Sequence, residues 1–354
     1  LFIRFRFSFF KAERIGIRAI LLLLLTGFVS LSCYSCSSKD TESTDGHRHY
    51  YNSRSRRDYR VVRFLPQWTH QTQFAGFYVA LEKGIYERFG LDVIIQNGGP
   101  NAPVIPALST GSTDFSTLFL LTAMRHNRDG KFLVNLGQIS QKSSLMLAAK
   151  RERGIESIED LNYKKIGLWH SEFRDLTNIF LQRNKLEVQV IPIDYSINLF
   201  LKGPIDAMNV MSYNELHRIY QAGIDYEELF LVRMSEQGLD IPEDGIYCTE
   251  EFFLKNKELS RDFAEATMEG WLYAINHEEE ALEIVLDIMR RDHIPANRPH
   301  QRWMLQEMRD IVLAKPGVVG KLQKDSFDQA QALLLENGQL TTPIEYKRFV
   351  PNAP

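Results

Sequence analysis

The chain has 354 residues, 42 Lys plus Arg against 45 Asp plus Glu, a formal net charge of −3, and is 44% hydrophobic. This length allows two domains of ordinary size with real cores, and the composition excludes disorder for most of the chain. Without a global basic field nucleic acid is not an expected partner, and three cysteines cannot build a disulfide framework or a four-thiolate zinc site.

The first stretch is distinct. Arg4, Arg6, Lys11, Arg14 and Arg18 precede an apolar run from Ala19 to Leu31, followed by Ser32 and Cys33. A basic segment, a short apolar segment and small residues before a cysteine predict an export signal over 1–33. The run is shorter than the about 20 apolar residues a comfortable membrane span needs. Ser30-Leu31-Ser32-Cys33 resembles a lipoprotein processing box with Cys33 as the lipidated residue, although Ser30 stands where that box usually has leucine. Cys36 fits less well, and an uncleaved membrane anchor is the alternative. Removing residues 1–32 takes away five basic residues and one acid, so the positive charge belongs to targeting. Residues 34–59 are polar and lack apolar periodicity, which predicts a flexible tether; His47 and His49 there make a poor metal site.

The body alternates. Arg60–Leu65 predicts a strand, Gln73–Tyr86 a helix with Phe74, Phe77 and Leu81 toward the core, and Leu91–Gln96 a second strand. Strand, helix, strand in under forty residues predicts a parallel pairing. Further strands are expected at Asp114–Phe115, Phe132–Leu136, Lys165–Trp169, Val188–Ile193 and from Asp206. Ser157-Ile-Glu-Asp160 is a candidate helix start, and the chain from Glu258 reads as mostly helical. The class is α/β, and two alternating runs suggest two lobes. Crossings between them are expected near Leu145–Lys150 and Ile246–Glu251. That divides the body into 60–145 plus 252–354 and 146–251.

Ligands of open parallel sheets bind beyond the carboxyl ends of strands. Gln67 to Gln73, Gly98-Gly99, Ser116 to Phe119, Trp169 to Glu172 and Ser212 to Glu215 occupy such places. These residues are rich in aromatic, amide and hydroxyl groups and poor in lysine, which suits a flat neutral heterocycle better than a phosphate. Gly98-Gly99 reads as a plain turn rather than a phosphate loop.

Trp68-Thr-His-Gln-Thr-Gln-Phe-Ala-Gly-Phe-Tyr-Val-Ala80, Glu82-Lys-Gly-Ile-Tyr86, Ser109-Thr-Gly-Ser-Thr-Asp114-Phe, Gly203-Pro-Ile-Asp206-Ala207 and Tyr213-Asn214-Glu215 resemble the thiamine-pyrimidine precursor family. The resemblance runs from about Arg60 to Tyr273. Related importers for sulfonates and riboflavin share much of it. It implies the two-lobed periplasmic binding protein fold, type II-like, with a ligand cleft between lobes. It also implies a small heterocycle, foremost a thiamine pyrimidine precursor, delivered to an ABC permease. Riboflavin, another flat heterocycle or a sulfonate, and a sensor role with a separate partner, are the alternatives.

Carried onto this chain, Trp68 would stack on the ring, with His70 and Gln73 at its polar edge and Phe119 beside them. Trp169 and Tyr213 would approach from the second lobe, with Asn214 or Glu215 supplying hydrogen bonds. The family's synthases hold pyridoxal phosphate on a lysine, with a histidine and an iron-binding cysteine cluster. Here Leu118, Thr122 and the lone Cys248 stand at those places, so neither catalysis nor a cofactor is expected. The expectation is an exported, lipid-anchored monomer.

Overall fold

Arg60–Leu65 (β1), Leu91–Ile95 (β2), Phe115–Phe119 (β3) and Leu133–Gln138 (β4) are the first four strands met along the chain. Leu145–Lys150 (β5), Lys165–Leu168 (β6), Gln189–Pro192 (β7), Ala207–Met211 (β8), Leu229–Arg233 (β9) and Asp244–Thr249 (β10) follow. The structure, a computed structural model, describes residues 59–127, 132–169 and 173–352. The expected leader with Cys33, and the expected tether apart from Tyr59, lie outside the described residues.

The strands form two five-stranded sheets, ordered β2-β1-β3-β10-β4 and β7-β6-β8-β5-β9. β1 pairs in parallel with β2 and β3, and β6 with β7 and β8. In each sheet one strand runs against both neighbours: β10 between β3 and β4, and β5 between β8 and β9. The two sheets thus repeat one order, and the reversed strand is in each case the first after the chain crosses over. This is the two-lobed periplasmic binding protein fold.

The crossings are the polar segment 139–144 and the segment 234–243, both earlier than the sequence suggested. Leu145–Lys150 and Ile246–Glu251 looked like connectors. Leu145–Lys150 is buried throughout, however, and Asp244–Thr249 almost throughout, because both are interior strands covered on two faces. Asp244–Thr249 therefore belongs to the first sheet rather than to the 146–251 segment.

Helices cover the sheets. Ala75–Glu82 crosses Lys257–Asn276 at very close range: an added Cβ on Gly76 would lie 2.3 Å from the Trp271 ring, and one on Gly270 would lie 2.2 Å from the Gly76 carbonyl oxygen. Between these helices and β1–β3 sits an aromatic core. Phe64 stacks on Phe77 with centroids 4.1 Å apart, and Phe263 stacks on Phe115 at 4.3 Å and on Tyr86 at 5.5 Å. Two C-terminal helices begin on side-chain caps. Thr249 Oγ1 accepts from Phe252 N before Glu250–Lys255, and Asn297 Oδ1 accepts from His300 N before Arg298–Val312. The candidate helix start at Ser157 yields only the turn Glu159–Leu161. Asp160 Oδ2 accepts from Ser157 N and Oγ, and Tyr163, at φ 62°, ends the segment.

Candidate ligand-binding cleft

The ends of β1, β3, β6 and β8 converge on a narrow cleft. Gln67 and Trp68 follow β1, Phe119 closes β3, Trp169 follows β6, and Met211 ends β8 with Tyr213, Asn214 and Glu215 just beyond. Gln71, Gln73 and Phe173 complete the wall. Each contributing strand is an apolar run that stops at the sheet edge, so the next residue emerges into the gap between the lobes. Phe173, just before the helix Asp175–Arg183, bridges that gap. Its ring meets Trp68 edge-on at 5.6 Å and Phe119 edge-on at 5.0 Å. Five aromatic side chains therefore surround the space, a geometry suited to a planar ring.

The polar groups have assigned tasks. Gln67 Nε2 donates to Asp244 Oδ1 at 2.5 Å and Gln73 Nε2 to Asp244 Oδ2 at 2.9 Å, while Gln73 Oε1 accepts from Gln71 Nε2 at 2.7 Å. Asp244, fully buried behind these amides, is pushed up to about 6 by burial, which the two amide donors only partly offset. Glu215 is pushed up to about 7, again by burial. Its Oε2 accepts from Met211 N at 3.0 Å and its Oε1 from Asn214 Nδ2 at 2.8 Å. Asn214 Oδ1 in turn lies 3.1 Å from His300 Nε2, and His300 Nδ1 lies 2.9 Å from His217 Nδ1. Burial, with His217 and Arg218 nearby, holds His300 down to about 4. Burial raises the Tyr213 hydroxyl well above its ordinary range, as do the carboxylates of Asp244, Glu243 and Glu215.

Two polar atoms of the wall are buried without a hydrogen-bond partner: the acceptor Gln67 Oε1 and the donor Trp169 Nε1. Unsatisfied buried polar groups are uncommon in native proteins and point to strain or to a missing partner. Both residues line the cleft.

Of the eight residues expected from sequence, seven line this cleft: Trp68, Gln73, Phe119, Trp169, Tyr213, Asn214 and Glu215. His70 does not. Its Nδ1 lies 2.7 Å from the Tyr78 hydroxyl and its Nε2 lies 2.9 Å from Asp292 and 3.1 Å from Asn97, so both nitrogens are engaged inside the first lobe. Phe173 and Asp244 were not anticipated. Phe173 stands one residue beyond the strand-end stretch Trp169 to Glu172. Asp244 lay in the segment taken as preceding a crossing; its only signal was Glu243-Asp244, two adjacent acids opening an apolar run.

A family profile described as NMT1/THI5 like matches residues 71–281. The chain belongs to that family. Within this NMT1/THI5-like frame, the match covers β2 through β10 and all of the cleft residues except Gln67 and Trp68. The chain is 20% identical over 292 residues to the riboflavin-binding protein RibY of Chloroflexus aurantiacus, covering 79% of this chain and 82% of RibY. It is 24% identical over 148 residues to the arginine-binding extracellular protein ArtP of Bacillus subtilis, 42% of this chain and 54% of ArtP, so the match spans about half of that relative. The periplasmic aliphatic sulphonate binding protein SsuA of Escherichia coli superposes with a TM-score of 0.60 at 14% identity, over 82% of this chain and 91% of SsuA. At that identity the likeness is one of fold.

Proposed function

We propose that this protein is an exported solute receptor that captures a flat heterocycle between its lobes and presents it to an ABC permease. The observation that carries this reading is the aromatic enclosure of the cleft, with no Lys, Arg or His among its described lining residues. Trp68 and Phe119 come from the first lobe, Trp169, Phe173 and Tyr213 from the second. A ring held between them gains contacts that exist only when the lobes are together, so its binding energy favours the closed state.

The foremost ligand is a thiamine pyrimidine precursor. An aminopyrimidine edge asks for one acceptor and one donor, and side-chain amides, which carry both, line the cleft at Gln67, Gln71, Gln73 and Asn214. Riboflavin is the second reading, favoured by the match to RibY along four-fifths of the chain. A sulfonate fits less well, since the described wall holds no cation to meet it. Leu118 and Thr122, at the positions where the family's synthases carry lysine and histidine, are buried in the first lobe, which supports binding rather than catalysis. Lipidation at Cys33, and the monomeric state, belong to this proposal.

Calorimetric titration of wild type and Trp68→Ala with 4-amino-5-hydroxymethyl-2-methylpyrimidine and with riboflavin tests it. Aromatic–base stacking is worth about 1–3 kcal/mol, so the variant should bind roughly 5- to 150-fold more weakly. Trp68 is only partly buried, so its loss should cost less stability than the about 3–5 kcal/mol typical of a core tryptophan. Unchanged binding with a collapsed melting temperature would remove Trp68 from the site.

A further inference from the structure

The helix Arg298–Val312 lies beyond the residues that the family profile matches, yet it touches both walls of the cleft and one of the crossings. Gln301 anchors it on the first lobe. Gln301 Oε1 accepts from Thr72 N at 2.9 Å, and the Gln301 carbonyl oxygen accepts from Thr72 Oγ1 at 2.9 Å. Thr72 stands between Gln71 and Gln73, which line the cleft. Near the other end of the helix, the Ile311 carbonyl oxygen accepts from Gln141 N, within the crossing 139–144.

The first two turns of the same helix grip the second lobe. Trp303 Nε1 donates to the Ser212 carbonyl oxygen at 3.1 Å, just past β8. The Trp303 ring stacks on His217 with centroids 4.6 Å apart and planes within 6°. The proton positions in the neighbouring chain of polar groups follow from its carboxylate end. Glu215 Oε1 takes an Asn214 Nδ2–H, so Asn214 presents Oδ1, an acceptor only, to His300. His300 therefore carries its proton on Nε2, and its bare Nδ1 accepts from His217 Nδ1. Burial keeps His300 neutral, as that pattern requires. Each donor meets an acceptor, and the chain ends on the cleft residues Asn214 and Glu215.

A rotation of one lobe about the crossings separates groups in proportion to their distance from that axis. His300 and Ile311 are about 16 Å apart along the helix. Opening would therefore break the grip at His300 and Trp303 while leaving the contact at Gln141 nearly in place. We infer that the helix Arg298–Val312 is an inter-lobe clasp: anchored on the first lobe by Gln301, it holds the turn after β8 through His300 and Trp303 and stabilises the closed form by contacts that no ligand supplies. His300 and Trp303 are positioning residues of the cleft, acting through Asn214 and Ser212. The inference goes beyond the heterocycle reading and holds whichever ligand the cleft takes.

Electron–electron distance measurements across the cleft mouth test it. Spin labels are carried on ketone-bearing unnatural residues at Asn101 and Tyr195, both exposed, which leaves the cysteines untouched. The full chain is dialysed exhaustively and no ligand is added. Loss of one aromatic stack and one hydrogen bond in Trp303→Ala should raise the ratio of long to short distances at least about fivefold. Trp303→Phe, which keeps the stack, should shift it less. His300→Ala should also lengthen the distances, and His300→Gln, which restores an N–H for Asn214 Oδ1, should bring them back toward wild type. Thermal melts report whether each variant is folded, and His217→Ala replaces any that is not. Distributions identical to wild type in the folded variants would overturn the clasp. A lower melting temperature with unchanged distances would do the same, making the helix ordinary packing. Neither result touches the heterocycle reading, because no ligand enters the measurement.

Discussion

Replacing Glu243 by glutamine should make the protein more stable at pH 8 and change it little at pH 5. Glu243 ends the second crossing and holds the first: Ser143 Oγ donates to it at 2.6 Å, and Ser144 donates through both N and Oγ. Burial pushes its pKa up from 4.5 to about 8; the serine donors work against the shift, and the Asp244 carboxylate adds to it. A carboxyl whose folded pKa lies above its unfolded value contributes stability that is complete below about 4.5 and lost as pH rises through about 8. Over pH 5 to 8 the loss comes to about 4 kcal/mol at most, taking 1.36 kcal/mol per tenfold change. Glutamine keeps the shape and carries no charge, so it removes that slope. Melting curves of both proteins at pH 5, 6, 7 and 8 read it out, the variant pulling progressively ahead as pH rises. Parallel curves across the range would refute the reasoning and show that Glu243 is stably ionised in the folded state.

Gly76→Ala should cost about 1–3 kcal/mol, the usual cost of overpacking, because the new methyl would press on Trp271 between two helices with little freedom to separate. A melting temperature equal to wild type would show that the helices can part. For export, Cys33→Ala should accumulate an uncleaved precursor lacking acyl mass, whereas Cys36→Ala is processed normally. Intact mass spectrometry distinguishes these, and release of soluble, unacylated wild type would end the lipoprotein reading.

The parallel strands were legible because each is a short apolar run bounded by turn residues: Val62, Phe64, Val93 and Ile95 alternate into one core. Trp68, Trp169 and Tyr213 were legible for the same reason, since each stands just past a strand that the pattern marks. The antiparallel strands were harder to place. β10 begins Asp244-Gly245, reads like a turn, and joins its sheet only through partners more than a hundred residues away in the chain. Asp244 was missed with it, because its role depends on Gln67 and Gln73 from the other end of the sequence. His70 illustrates the reverse case. Its neighbours Trp68 and Gln73 do line the cleft, but its ring is tied to Tyr78 and to Asp292, a contact 222 positions distant that local spacing cannot reveal.

The central claim is that a flat heterocycle is held between the lobes. Native mass spectrometry of the protein purified from its own export pathway, without added ligand, tests it most directly. The account predicts a bound small molecule that is released on denaturation, absorbs in the near ultraviolet, and is depleted in Trp68→Ala. Recovery of a sulfonate, nitrate or other anion in its place, retained equally by both proteins, would contradict it.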